Sequence, residues 1–337
     1  MSAAQRTPAT GQGTHWLSWV LGAAFLAAVI LAAVHYAEQQ AFVRLVQQAS
    51  PAWLVAAAAL QLGTYAAQGG VWRRVAIAAD YRLPWQTTVA ISLAKLFADQ
   101  ALPSAGLSGS VLVAHALEQR RIAPGAIRAS VVINVASYQL AYVLTLAVAI
   151  AILIARREAN AVIIVTAAIF LLFSIGLSAA VLALAGRPRA RPVTAVRGLR
   201  GLRTTLDFVA GADARLVRGV RVIADTTLWQ IAIVVLDAAT MWVLIRALGT
   251  TASPGGVFAA FMVASLFRTM GIVPGGLGTF EATSVLMLRR MDVDLAVALS
   301  ATLLFRGLSF WLPMPPGYWL SRRITRPPAG ARVAGRG

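Results

Sequence analysis

The sequence predicts an all-α, polytopic membrane protein, and its composition is the first reason. Of the 337 residues, 59% are hydrophobic and 12% are charged, whereas an ordinary soluble domain is roughly 45–50% apolar and about 25% charged. The mean hydropathy of +0.73 agrees. A soluble chain of this size could not bury so much apolar surface in one core, and a disordered chain would be far more polar. Soluble globular and disordered proteins are therefore excluded.

The second reason is that the apolar residues form runs long enough to cross a bilayer. A helical crossing needs about 20 residues, because the helix rises about 1.5 Å per residue. Six runs meet this length, at 16–36, 52–73, 127–154, 161–185, 223–248 and 295–320. We therefore expect one membrane domain at 16–323, which contains a basic loop at 187–221. A tail at 1–15 precedes this domain and a basic tail at 324–337 follows it.

Two further apolar regions, 85–117 and 254–290, are interrupted near their middle. The first contains Pro103 and Gly106, and the second contains the run Pro274-Gly-Gly-Leu-Gly278. Proline removes a backbone donor, and glycine permits the dihedral angles of a tight turn. Non-helical backbone at membrane depth is tolerated only where protein or a water-filled cavity surrounds it. We therefore interpret both regions as re-entrant helical hairpins, and eight full spans are the alternative.

The distribution of arginine predicts how the chain is oriented. If each hairpin returns to its own side and the amino terminus is cytoplasmic, 21 arginines fall in cytoplasmic segments and six in outer loops. This bias follows the positive-inside rule, so we expect a multi-pass protein of the plasma membrane (an inner membrane where there are two) with both termini in the cytoplasm. The two hairpins then enter from opposite sides, as in an inverted repeat. Opposed broken helices of this kind are typical of a transporter's binding site.

Charged residues at the hairpins and in the last span are expected inside the membrane. They are Arg306 near the middle of the last span, Arg268 and Glu281 on the two arms of the second hairpin, and Lys95 and Asp99 one turn apart on the first. A charge at this depth costs several kcal/mol and usually faces a cavity or a partner. These residues either neutralise one another or bind a charged ligand.

Glycines and uncharged polar residues accompany these charges. Gly275, Gly276 and Gly278 precede a helix start, where free backbone N–H groups and about half a positive charge favour a phosphate. Polar stripes follow one face of two spans, and they include Gln68 on 52–73 and Tyr138 on 127–154. Such a stripe either joins neighbouring helices by hydrogen bonds or lines a hydrophilic groove. The sequence thus predicts a site for the anionic head group of a membrane lipid, whose tails stay in the bilayer.

Motifs for other chemistry are mostly missing from the sequence, and the Asp292-Val-Asp294 match to a nucleotide-sugar motif lies in a short predicted outer loop. It contains no cysteine, and its only lysine, Lys95, does not follow a glycine-rich phosphate loop. The three histidines have no metal-ligand spacing. We therefore expect no cofactor, no metal and no nucleotide hydrolysis. The net charge of +18 comes from arginines between apolar runs, so we expect no nucleic-acid partner.

Motifs in the second half of the chain carry a resemblance to a known family. They are Pro274-Gly-Gly-Leu-Gly-Thr-Phe-Glu281, Leu304-Phe-Arg-Gly-Leu-Ser-Phe-Trp-Leu-Pro313 and Gly317. They resemble the lysylphosphatidylglycerol synthase transmembrane family, the flippase-like membrane domain of multiple peptide resistance factors. The resemblance implies a lipid-translocating unit rather than an enzyme, with the three hairpin glycines, Glu281 and Arg306 as site residues. Because no soluble aminoacyltransferase region follows the last span, we expect a stand-alone member.

The sequence therefore favours a flippase-like protein that moves an anionic phospholipid or an isoprenoid-phosphate-linked lipid between leaflets. Two alternatives stay open. A membrane-embedded transferase acting on prenyl-phosphate donors would need four carboxylates to converge, those of Asp99, Asp237, Glu281 and Asp292. A non-catalytic accessory subunit would instead use its polar stripes to contact a cell-envelope biosynthesis enzyme.

Overall fold

The computed structural model describes residues 45–102, 107–185, 200–270 and 274–324. These ranges form helices and contain no strand, as the all-α prediction requires. The α-helices are α1 (Pro51–Ala78), α2 (Trp85–Ala101), α3 (Leu107–Glu118), α4 (Pro124–Ala155), α5 (Ala161–Leu184), α6 (Arg200–Ala210), α7 (Ala214–Val217), α8 (Val220–Ala247), α9 (Pro254–Met270), α10 (Thr279–Arg290), α11 (Leu295–Arg306) and α12 (Met314–Ile324). A 3₁₀ turn, Pro274–Gly276, precedes α10, and a π-helical segment, Gly307–Trp311, follows α11.

Four of the predicted spans are confirmed as helices long and apolar enough to cross a bilayer. They are α4, α5, α8 and the continuous stretch from α11 to α12. Helix α1 covers the predicted span 52–73 with 28 residues, but its polar face keeps it out of this group. The predicted span 16–36, the predicted break at Pro103 and Gly106, the loop residues 187–199 and the tail residues 1–15 and 325–337 lie outside the described residues. The total number of crossings therefore stays a prediction.

Each interrupted region folds as a pair of helices that pack against each other, α2 with α3 and α9 with α10. The ends of the first pair meet, because the Ala123 N–H donates to the Tyr81 hydroxyl at 3.0 Å. The ends of the second pair also meet, since a Cβ on Gly256 would lie 3.1 Å from Met291 Sδ. Each pair thus returns to the end of the bundle from which it starts. Its depth in a bilayer stays a prediction.

The two helix pairs start from opposite ends of the bundle. At the end of the first pair, Arg215 forms an ion pair with Asp80 at 3.1 Å. At the other end, Arg156 donates to the Ser253 hydroxyl at 2.5 Å, just before α9 begins. This is the arrangement that an inverted repeat of two opposed hairpins requires. We call the pairs the first hairpin (α2–α3) and the second hairpin (α9–α10).

In the described part of the chain the bundle has two hydrophobic cores, one around each hairpin. The core of the first hairpin contains Ile91, Val113 and Leu216, and that of the second contains Leu244, Met262 and Phe280. Helix α4 contributes to both, with Ile133 in the first core and Leu146 in the second. Since α4 runs through both cores, they lie one beyond the other along its axis.

A polar layer separates the two cores. It consists of Gln61, Thr64, Tyr65 and Gln68 on α1, Asn134, Ser137, Tyr138 and Gln139 on α4, and Gln230 and Asp237 on α8. Gln230 donates to Asn134 at 3.2 Å, and Gln139 donates to Ser174 on α5 at 3.4 Å. Buried polar groups are costly unless they are hydrogen-bonded. The polar stripes predicted on the spans 52–73 and 127–154 therefore face the interior of the bundle.

Helix α5 shows which surface would face lipid. Its buried residues, Ile163, Ala167, Phe170, Ser174 and Ser178, form one narrow face against α4. The opposite face is apolar and exposed, as at Leu172 (73%) and Phe173 (61%). An apolar face of this extent on a helix of 24 residues is stable when hydrocarbon covers it.

Candidate functional site

An ion pair between Arg306 and Glu281 forms the centre of the candidate site. Arg306 Nε donates to Glu281 Oε1 at 2.6 Å, and Nη2 donates to the Gly275 carbonyl oxygen at 3.1 Å. The Arg306 side chain is 4% exposed. Removing a charge from water costs several kcal/mol, so a buried guanidinium requires such partners. The pair attaches α11 to the second hairpin.

Glu281 also holds the start of α10. Its Oε2 accepts a hydrogen bond from the Gly278 N–H at 2.6 Å. Glu281 is the third residue of α10, the position from which a glutamate reaches back to the amide that precedes the helix. One carboxylate therefore joins the cation of α11 to the turn of the second hairpin.

Three positions in the turn of the second hairpin require the conformational freedom of glycine. Gly275, Gly276 and Gly278 have φ angles of 65°, 63° and 83°, in the left-handed region that residues with a Cβ rarely adopt. A Cβ on Gly275 would lie 2.5 Å from the Phe310 ring, and one on Gly276 would overlap Cγ of Arg268. The glycines thus permit the left-handed backbone of the turn, and their lack of a Cβ atom lets the turn lie against Arg268 and Phe310.

Two phenyl rings hold the arginines in place. Cζ of Arg306 lies 4.5 Å from the Phe310 ring centroid and 5.5 Å from that of Phe280. Cζ of Arg268 lies 5.8 Å from the Phe280 centroid. A guanidinium is attracted to the face of an aromatic ring within about 6 Å. Phe280 therefore connects Arg268 of the second hairpin with Arg306 of α11, a role that no sequence motif indicates.

The last span changes helix type directly after Arg306. The Leu312 N–H donates five residues back to Gly307 O at 2.8 Å, and Pro313 has no N–H to give to the preceding turn. The Leu308 and Ser309 carbonyls accept instead from the Tyr65 hydroxyl at 2.5 Å and from Gln100 Nε2 at 3.4 Å. The π-helical segment thus binds both α1 and α2.

The first hairpin repeats the arrangement of the second. Lys95 Nζ lies 2.5 Å from Asp99 Oδ2, and Asp99 Oδ1 accepts from the Gly109 N–H at 2.9 Å. Gly109 lies in the first turn of α3. In both hairpins one carboxylate therefore bonds a cation with one oxygen and an amide at the start of the second arm with the other. The two hairpins also meet, because α2 contacts the Pro274–Gly276 turn.

Arg268 differs from the other cations of the site. It is half-buried on α9, and in the part of the chain that the structure describes no carboxylate lies within 4 Å of it. Its charge acts on Asp237 of α8 and on Arg306. Since Arg306 and Glu281 neutralise each other, Arg268 leaves the second hairpin with a net positive charge beside the polar layer.

The structure thus brings six of the predicted site residues together at the second hairpin, namely Arg306, Arg268, Glu281, Gly275, Gly276 and Gly278. Lys95 and Asp99 lie together at the first hairpin, and Gln68 and Tyr138 are half-buried in the polar layer. Tyr65, Gln100 and the two phenyl rings were not predicted as site residues. Tyr65 belongs to the polar stripe on the span 52–73, and Pro313 inside an apolar run is a further signal, because it leaves carbonyls of the preceding turn without a backbone donor.

A comparison with known protein families shows which family the chain belongs to. The family described as "Lysylphosphatidylglycerol synthase TM region" matches residues 19–317. The chain belongs to this family. No curated protein matches it. Membership in the lysylphosphatidylglycerol synthase transmembrane family and the apolar helices together identify a multi-pass membrane protein related to lipid biology.

Proposed function

We propose that the protein moves an anionic lipid, a phospholipid or an isoprenoid-phosphate-linked lipid, between the two leaflets of the plasma membrane. The observation that carries the proposal is the position of Arg268. This cation has no carboxylate within 4 Å among the described residues, and it lies against Gly276 in the turn of the second hairpin. A cation that no carboxylate contacts directly, inside an apolar bundle, favours binding of an anion.

The contacts of the two arginines suggest different roles for them. Arg306 is held by Glu281, Gly275 and Phe310, so we assign it the positioning of the hairpin turn. Arg268 lies against the Phe280 ring and the glycine turn, so we assign its N–H groups to the phosphate. The polar layer receives the rest of the head group, and the lipid tails stay outside the bundle.

Transport fits the geometry better than the two alternatives. Within the described ranges no three of the residue types His, Cys, Asp and Glu form a group that could hold a metal. Asp99 and Glu281 each neutralise a different cation, which does not favour a transferase centre of converging carboxylates. The polar stripes face each other inside the bundle, as Gln61 (2% exposed) does, so they do not offer a surface to a partner helix.

A reconstitution experiment tests the proposal. The purified protein is inserted into phosphatidylcholine vesicles that contain a trace of fluorescent phosphatidylglycerol, and the rate at which the label reaches a membrane-impermeant quencher is measured. Arg268→Gln should lower this rate by about tenfold or more, since a hydrogen bond to a charged group contributes about 1.5–3 kcal/mol and 1.4 kcal/mol is tenfold.

Arg246→Gln is the matched control. Arg246 lies in the last turn of α8 with its guanidinium 5.7 Å from the Trp53 ring centroid, away from the second hairpin turn, so its loss should leave the rate within about twofold. Unchanged transport by Arg268→Gln, or a protein that moves no label at all, would contradict the proposal.

A further inference from the structure

Asp237 is bonded differently from the other two carboxylates of the bundle interior. Asp99 and Glu281 each have a cation on one oxygen and a backbone N–H on the other. Asp237 instead accepts from the neutral amide of Gln61 at 3.3 Å. No cation lies within 4 Å of it in the described part of the chain. Its ionised form therefore depends on a more distant charge.

The groups around Asp237 identify that charge. Gln61 donates to it from α1, its charge interacts with Thr64 and Tyr65 of the same helix, and it interacts with Arg268 of α9, which packs against α8. Helices α4 and α11 add Tyr142, which faces Arg268, and Arg306, which Glu281 neutralises. Arg268 is thus the cation that stabilises the Asp237 carboxylate, and it is also the cation that we assign to the phosphate.

Gln61 can serve both protonation states of Asp237. Its Nε2 donates to the carboxylate, whereas its Oε1 is buried without a hydrogen-bond partner among the described residues. A half-turn of the amide would present Oε1 to Asp237, where it can accept a hydrogen bond from a protonated carboxyl group. The same rotation moves the Nε2 N–H groups to the place that Oε1 now occupies, so Gln61 bonds Asp237 with one of its two polar groups in either protonation state.

We propose that Asp237 takes up one proton when an anionic head group binds to Arg268, so that lipid and proton bind together. The inference rests on the proposed function. Bound phosphate neutralises Arg268 and places a second negative charge near Asp237, and both effects favour the protonated carboxyl group. The proton comes from water, and the loaded site then carries the same net charge as the empty one. A pH difference across the membrane would thereby bias the direction of lipid movement.

Binding measured as a function of pH tests this linkage. The affinity of the detergent-solubilised full chain for phosphatidylglycerol should fall as pH rises, by up to tenfold per pH unit, because one proton is bound with each lipid. Asp237→Asn should remove this slope. Asp225→Asn should keep the pH slope, because Asp225 lies near the start of the same helix and forms an ion pair with Arg74. Asp237→Glu should also keep the slope, because it retains a titratable group.

A second measurement needs no variant. Addition of phosphatidylglycerol to the wild-type protein in weak buffer should raise the pH reported by an indicator dye, by the amount expected for about one proton per bound lipid. Binding without proton uptake, or an unchanged slope in a folded Asp237→Asn protein, would overturn the inference and leave the proposed function standing. Absence of phosphatidylglycerol binding at every pH would overturn the proposed function itself.

Discussion

Two ion pairs of equal length allow the contribution of Arg306 to be measured. Arg306–Glu281 and Arg74–Asp225 both have a nitrogen–oxygen distance of 2.6 Å. The first pair is buried, with side-chain exposures of 4% and 13%, whereas those of the second are 26% and 46%. Removal of one partner from a buried pair leaves an uncompensated charge, but an exposed charge is stabilised by water.

We therefore expect Glu281→Gln and Arg306→Met each to lower the free energy of unfolding by about 3–5 kcal/mol. The double variant should lose less than the sum of the two, because it leaves no unpaired charge. The measurement is thermal or denaturant unfolding in detergent. Arg74→Gln and Asp225→Asn are the controls and should each cost about 1 kcal/mol or less. Equal losses in the buried and exposed pairs would show that Arg306 has no special structural role.

The charges of the site could be identified from sequence, but their partners could not. Arg268, Arg306 and Glu281 are unusual in apolar segments, and depth alone marks them as functional candidates. Whether Arg268 or Arg306 forms the ion pair with Glu281 depends on the turn at Gly275, because the Gly275 carbonyl oxygen accepts a hydrogen bond from Nη2 of Arg306. The ion pair is selected by tertiary contacts whose partners are separated by 25 and by 31 positions in the sequence. A local sequence pattern therefore does not predict it.

Among the elements, the π-helical segment shows how a predicted span can hide a functional irregularity. The sequence predicts a full span at 295–320, and this region does form a continuous apolar stretch. In this segment the Leu312 N–H donates to the Gly307 carbonyl, five residues back. The segment is stabilised because Tyr65 and Gln100 donate to the carbonyls that Pro313 leaves without a backbone partner. These partners are 243 and 209 residues away. Segments of this type occur frequently at functional sites.

The turn of the second hairpin gives the prediction at the scale of the element. Gly276→Ala should lower both the melting temperature and the lipid transport rate, because the new Cβ would overlap the Arg268 stem in addition to straining the backbone. Gly249 is the matched control: its φ of +81° carries the same backbone strain, but its position has no atom within 4 Å of an added Cβ.

The two alanine variants separate strain from contact. Both should lose about 1–2 kcal/mol from the left-handed backbone, and Gly276→Ala should lose about 1–3 kcal/mol more from the overlap. Unfolding in detergent and the vesicle assay give the two readouts. If Gly249→Ala and Gly276→Ala behave alike, the close approach of the turn to Arg268 has no functional importance.

For the whole molecule, the main features of the bundle followed from the sequence. Apolar runs predicted the long helices α4, α5 and α8, and proline with glycine predicted both helix breaks. The separation into two cores by one polar layer could not be predicted, because it depends on the axial register of α1, α4 and α8. The sequence shows polar stripes on single helices, and only packing shows that Gln61 meets Asp237 and Gln230 meets Asn134.

The path of the chain across the membrane is the last prediction, and the absence of cysteine makes it directly measurable. Single cysteines at three exposed positions, Glu118→Cys, Arg218→Cys and Thr251→Cys, are labelled in intact cells with a membrane-impermeant maleimide.

With six spans and two re-entrant hairpins, the first two positions are cytoplasmic and protected, and Thr251→Cys reacts. With eight full spans, crossing by the first hairpin reverses all three positions, so 118 and 218 react and 251 is protected. The positive-inside rule and the return of each hairpin to its own end favour the first outcome. Labelling of all three after the cells are permeabilised is the control that each cysteine is accessible.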